Sequence, residues 1–240
     1  MQSGAGSVER VQQLRAVTGT LAVVITLSAP LLRGQAPVGG SIGGRVKLTA
    51  RAKGVALPTN AYSPRNVSLP PSTSLPEMRN VVVYLKNVAY RGALPAMRRQ
   101  IRQEHESFVP RVVAITRGST IDFPNGDPFF HNVFSLSGAG TFDLGRYPDG
   151  QSRTRQFTKP GLVKVYCHIH SQMSATILVL EHPYFVTPDD DGGFVMPQVP
   201  PGQYTLVAWH ERVGEQSSRI SVQAGETSTV ELKLPVMDKP

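Results

Sequence analysis

Two runs of alternating side chains, Leu162-Val163-Lys164-Val165-Tyr166 and Ala175-Thr176-Ile177-Leu178-Val179-Leu180, stand only eight residues apart. Each reads as a strand. A parallel partner needs a crossover of a dozen residues or more, so a link this short joins antiparallel neighbours. The link is Cys167-His168-Ile169-His170-Ser171-Gln172-Met173-Ser174, and it holds the sole cysteine of the 240 residues. Successive strand side chains face opposite ways. Cys167 therefore shares the parity of Val163 and Val165 and is expected in the core, whereas His168 points out with Lys164 and Tyr166. Met173 has the parity of Ala175, Ile177 and Val179. With His170 at the loop tip, a thiolate, an imidazole and a thioether are expected at one end of a hairpin.

The remaining chain repeats the same grammar. Its 22 glycines and 20 prolines favour short strands and turns over helices. Strands are predicted over 43–50, 81–85, 108–115, 120–123, 129–134, 152–157, 194–196, 204–210, 218–222 and 228–234. Pro124-Asn125-Gly126-Asp127-Pro128 is a turn that delivers His131 to the mouth of a strand. Residues 138–150 are glycine-rich and read as a turn. From Val55 to Met78, Pro58, Pro64, Pro70, Pro71 and Pro76 indicate a loop or extended arm; it includes the formal sequon Asn66-Val67-Ser68. Asp189-Asp190-Asp191-Gly192-Gly193 lacks the full ligand spacing of a calcium loop and reads as a solvated turn. The expected fold class is all-β, a sandwich with a second, smaller β-sandwich.

Residues 1–36 read as an export signal. Arg10 and Arg15 precede an apolar core, Leu21-Ala22-Val23-Val24-Ile25-Thr26-Leu27, and Gly34-Gln35-Ala36 is a small-x-small end. An uncleaved anchor is the alternative, although 17 residues from Ala16 to Leu32 are marginal for a bilayer. The chain is thus expected outside the cytosol, periplasmic or extracellular. A lone cysteine there has no internal disulfide partner. It is buried and inert, paired between chains, or bound to something.

His131, Cys167, His170 and Met173 together make a soft-to-borderline donor set. Two imidazoles, a thiolate and a weak thioether are the ligands of a blue-copper centre. Zinc competes for the same residues but prefers an anionic or nitrogen fourth donor. Copper bound to thiolate and imidazoles accepts both of its oxidation states with little rearrangement, which suits electron transfer.

The pattern His131-Asn132 followed by Tyr166-Cys167-x-x-His170-x-x-Met173 resembles the cupredoxin family of plastocyanin- and amicyanin-like proteins. The two-residue gap between His170 and Met173 is the shorter, amicyanin-like loop. Phe108-Val109-Pro110 and Gly118-Ser119-Thr120-Ile121-Asp122-Phe123-Pro124-Asn125 share the likeness, which covers 91–182. The resemblance implies a Greek-key sandwich and one copper per chain. It makes His131, Cys167 and His170 equatorial ligands, Met173 the axial one and His170 the electron port. Asn132 becomes the neighbour that steadies the cysteine loop. Val199-Pro200-Pro201-Gly202-Gln203-Tyr204-Thr205-Leu206, with Asp191-Gly192-Gly193-Phe194 before it, resembles the carboxypeptidase regulatory-like (transthyretin-like) sandwich. Gly44-Arg45-Val46 and Val81-Val82-Val83-Tyr84-Leu85 match that family's opening half. The copper module, 91–182, is then an insertion into a sandwich built from 37–90 and 183–240. The rival division starts the copper module at Val81.

The function expected is an exported carrier of single electrons. The alternatives are a copper storage or delivery protein, and a scaffold or adhesion protein with structural metal or none. An enzyme is not expected, because four protein donors leave no open position for a substrate. The formal charge is +8. No nucleic-acid motif accompanies it, and a solvated basic surface accounts for it. The cluster Arg91, Arg98, Arg99 and Arg102 is the candidate docking patch for an acidic redox partner. A membrane is expected only through an uncleaved N-terminal segment.

Overall fold

The computed structural model describes residues 39–49 and 77–235, all within the compact unit 36–240. The expected signal, the proline-rich arm up to residue 76 and the sequon lie outside the described residues. What is described is all-β apart from one 3-10 turn, Glu77–Asn80. In chain order the strands are β1 (Gly40–Thr49), β2 (Val81–Lys86), β3 (Arg98–Gln100), β4 (Arg102–Glu104), β5 (Ser107–Val109), β6 (Val112–Thr116), β7 (Thr120–Pro124), β8 (His131–Ser137) and β9 (Gly140–Tyr147). They continue with β10 (Ser152–Gln156), β11 (Gly161–Tyr166), β12 (Ser174–Leu180), β13 (Phe185–Val186), β14 (Gly193–Val199), β15 (Gly202–His210), β16 (Gly214–Val222) and β17 (Thr227–Pro235).

Two sheets enclose the first core. One has the order β6-β12-β11-β8-β9 and the other β10-β7-β3. The predicted hairpin is β11–β12, paired antiparallel with Val165 opposite Ala175 and Val163 opposite Ile177. All four of those side chains are fully buried. Each contributes about 1.5–3 kcal/mol if larger than alanine. Phe123, Phe157, Val133 and Tyr147 fill the space between the sheets.

Two expectations are corrected here. The stretch 108–115 is not one strand but β5 and β6, broken at Pro110 and Arg111; proline has no N–H to give to a ladder. The glycine-rich 138–150 is mostly strand, β9, paired antiparallel with β8. Its glycines serve bends rather than a loop: Gly145 sits at φ 69°, a backbone state that costs glycine little.

The second core lies between sheets β14-β1-β17 and β13-β2-β15-β16. It holds Ile42, Val46, Val83, Leu85, Met196, Leu206 and Leu234, among others. β1 runs parallel to β17 from Ser41 opposite Thr227 to Thr49 opposite Pro235, and antiparallel to β14. The approach to β17 demands glycine: a Cβ on Gly44 would lie 2.2 Å from the Val230 carbonyl oxygen. β2 pairs antiparallel with β13 and β15. β1 and β2 thus share one core with β14, β15, β16 and β17. Asp189 forms a turn, its Oδ1 accepting from the N–H of Asp191 and Gly193.

The two sandwiches meet through a third cluster, in which Val82, Val112 and Leu178 pack with Tyr84, Phe185 and Trp209. Beside it Glu211, at the β15–β16 turn, accepts from Arg111 Nε at 2.9 Å, Lys164 Nζ at 2.5 Å and Thr176 Oγ1 at 2.9 Å. Burial alone would push the Glu211 carboxyl up. The Lys164 and Arg111 bonds outweigh it and hold the group below the usual glutamate range.

Candidate metal centre

Two segments deliver side chains to one end of the first sandwich. The turn 124–130 brings His131, and the β11–β12 loop brings Cys167, His170 and, just before β12, Met173. Asn125 organises the first of these. Its Oδ1 accepts from Asp127 N at 3.0 Å, and its Nδ2 donates to the carbonyls of Phe129 and Tyr147. The pairing of β8 with β9 shifts register between Asn132 and Phe134, where Leu144 and Gly145 of β9 oppose the single residue Val133. A bulge of this kind re-aims side chains. His131, Asn132 and Val133 are all buried.

The donors converge. His131 Nδ1 lies 3.9 Å from Cys167 Sγ and 3.1 Å from His170 Nδ1. All three donor atoms lie within 4.8 Å of one another. Donors about 2.0 Å (nitrogen) and 2.3 Å (sulfur) from a shared ion, set at 120°, stand about 3.5 and 3.7 Å apart. The observed spacings straddle those values. Two imidazole nitrogens and a thiol facing one point are a group that could hold a metal ion. His131 is fully buried and Cys167 nearly so, while His170 is half-buried. Met173 is 1 % exposed and belongs to the same core cluster as Cys167. A turn ties it to the loop, Met173 N donating to His170 O at 3.1 Å. The Phe129 ring stands 5.1 Å from that of His131 and 5.6 Å from that of His170, and so covers the site from solvent.

Asn132 does not steady the cysteine loop by a direct bond. Its Nδ2 donates to Asp143 Oδ1 at 2.7 Å, and its buried Oδ1 has no partner among the described residues. The link runs on through Asp143, whose Oδ2 lies 3.9 Å from His168 Nε2. The Gly145 N–H and the Asn132 amide hold the Asp143 carboxyl below its ordinary range. His168 points outward as its parity predicts and stacks flat on Phe134, rings 3.7 Å apart. It takes no place in the donor group.

Sequence reasoning missed Asp127. Its Oδ2 lies 2.8 Å from His131 Nε2, on the far side of the ring from Cys167. Its carboxylate also accepts from the N–H groups of His105 and Glu106 at 2.7 and 2.9 Å. Burial alone would push this carboxyl up, but the bonds from Glu106, His131 and His105 together hold it below the usual range. An aspartate four residues before the candidate ligand His131 was the available signal, hidden inside a Pro/Asn/Gly/Asp cluster that reads as an ordinary turn.

Residues 170–230 match the family model described as polysaccharide lyase family 4, domain II, not the carboxypeptidase regulatory-like family that the sequence resembles. Among curated proteins no relative matches. Among solved structures, a copper-containing nitrite reductase from Thermus scotoductus matches 39% of this chain and 25% of its own, at 29% identity and a TM-score of 0.34. A purple cupredoxin from Nitrosopumilus maritimus matches 34% of this chain and 98% of its own, at 22% identity and a TM-score of 0.31. Amicyanin from Paracoccus versutus matches 36% of this chain and 85% of its own, at 23% identity and a TM-score of 0.33.

Proposed function

We propose that His131, Cys167 and His170 hold one copper ion, with the Met173 thioether as a weaker fourth donor, and that the chain carries single electrons. The observation that carries this reading is the convergence of two Nδ1 atoms and the sole thiol within 4.8 Å. The ion supplies one-electron chemistry, its two oxidation states both accepting this donor set. The chain supplies the rest. A packed core holds Cys167 and Met173, the turn 124–130 orients His131, and half-buried His170 stands between the ion and the surface. Exposed Phe129 and Ile169 form an apolar rim there on which a redox partner could seat. Of the basic cluster proposed to attract an acidic partner, Arg98 is paired with Asp122 and Arg102 with Glu104. Arg91 and Arg99 are exposed and are the pair to test for steering.

In this reading 91–182 is the copper module, a cupredoxin, set into a second sandwich made of 37–90 and 183–240; the pairing of β1 with β17 and of β2 with β15 supports that division. The protein acts outside the cytosol and is not an enzyme. Among the described residues no helix is long and apolar enough to cross a membrane. Voltammetry of the copper-loaded chain tests the electron-carrier role. A reversible one-electron wave supports it. A protein that keeps Cu(I) and shows no wave is a storage or delivery protein instead, and one that keeps zinc against added copper is a scaffold.

A further inference from the structure

We propose that Asp127 is the positioning residue of this site: it dictates that His131 offers Nδ1 to the metal, and it fixes a negative charge behind the ring. The inference rests on the copper reading above and adds a residue to it.

His131 has no exposed surface, so no bulk water serves its Nε2. The partner there is Asp127 Oδ2 at 2.8 Å. An ionised carboxylate only accepts, so Nε2 must carry the proton and the lone pair falls on Nδ1, the atom that faces Cys167 and His170. The carboxylate itself is held still. His105 and Glu106, both at φ 53°, turn their successive N–H groups onto it. The same turn reaches the cysteine loop, since Gln172 Nε2 donates to Glu106 Oε2 at 2.7 Å. One turn between β4 and β5 therefore braces both ligand-bearing segments. A backbone carbonyl behind His131 would set the tautomer equally well but bring no net charge. A carboxylate makes the imidazole a stronger donor and favours the more positive metal state, Cu(II), over Cu(I).

The first test needs no metal. Nitrogen-15 NMR of the apo protein should show His131 as the Nε2–H tautomer; an Nδ1–H ring overturns the proposal. The second uses Asp127→Ala and Asp127→Asn, titrated with Cu(II) and with Cu(I). Loss of such an outer partner typically weakens metal binding 10–100-fold, and the alanine variant should fall in that range. Asparagine can still accept from Nε2 but lacks the charge. It should keep the thiolate band while the ratio of Cu(II) to Cu(I) affinity drops about tenfold, a rise in potential of about 59 mV. Variants within twofold of wild type in both affinities overturn the proposal. Should neither variant fold, the wild-type tautomer decides. A wild type that binds Cu(II) without a thiolate band sinks the copper reading alone, because the NMR result is independent of it.

Discussion

Replacing Glu211 by alanine tests whether the two sandwiches are locked together by charge. The Glu211 side chain is 10% exposed and its partners Lys164 and Arg111 are 32% and 47% exposed. The bond from fully buried Thr176 Oγ1 is a charged hydrogen bond worth about 1.5 kcal/mol. Screening reduces the Lys164 pair to about 1 kcal/mol and the Arg111 pair to about 0.5 kcal/mol. Glu211→Ala should therefore lose about 3 kcal/mol at pH 7, read from the midpoint and slope of urea unfolding. The effect must depend on pH. The folded state holds this carboxyl below its ordinary value, so its contribution is complete above the unfolded value of about 4.3 and fades as pH falls through the folded one. Wild type and variant should converge in acid. A loss under about 1 kcal/mol at pH 7, or the same difference at pH 3 as at pH 7, would refute the reasoning.

Other substitutions probe separate links. Gly44→Ala places a methyl 2.2 Å from the Val230 carbonyl oxygen, so β1 must part from β17; a loss of at least about 2 kcal/mol is expected in thermal unfolding. Tyr147→Phe removes the hydroxyl that accepts from buried Gln103 at 2.6 Å and donates to Phe123 O at 2.8 Å. It should cost about 1–3 kcal/mol, checked by urea unfolding. Asp143→Ala leaves the Asn132 amide without its acceptor and His168 without its nearby carboxylate. The copper-loaded variant should show a shifted thiolate band with the stoichiometry unchanged.

What could be read from the sequence was whatever depends on neighbours in the chain. Parity in β11 and β12 is local, and it placed Cys167 and Met173 inside and His168 outside, where they are. Strand type followed from alternation, as at 204–210 and 228–234. Non-local features were harder. His131, Asn132 and Val133 are buried in a row, so alternation of burial could not give the direction of Asn132. Asp127 acts through a turn 22 residues earlier, His105–Glu106, and its sequence context offers only turn chemistry. The strand β9 was hidden by glycines whose role is to bend a paired ribbon. The short β3 and β4 lack any apolar alternation and form because β7 and β5 offer them edges.

The central claim is that the sole thiol shares one copper ion with two imidazoles. Titrating the full chain with Cu(II) in the visible, beside Cys167→Ser, tests it directly. The account predicts an intense thiolate-to-copper band that saturates at one equivalent and is absent from the serine variant. One equivalent of Cu(II) bound by the wild type with no such band would contradict it.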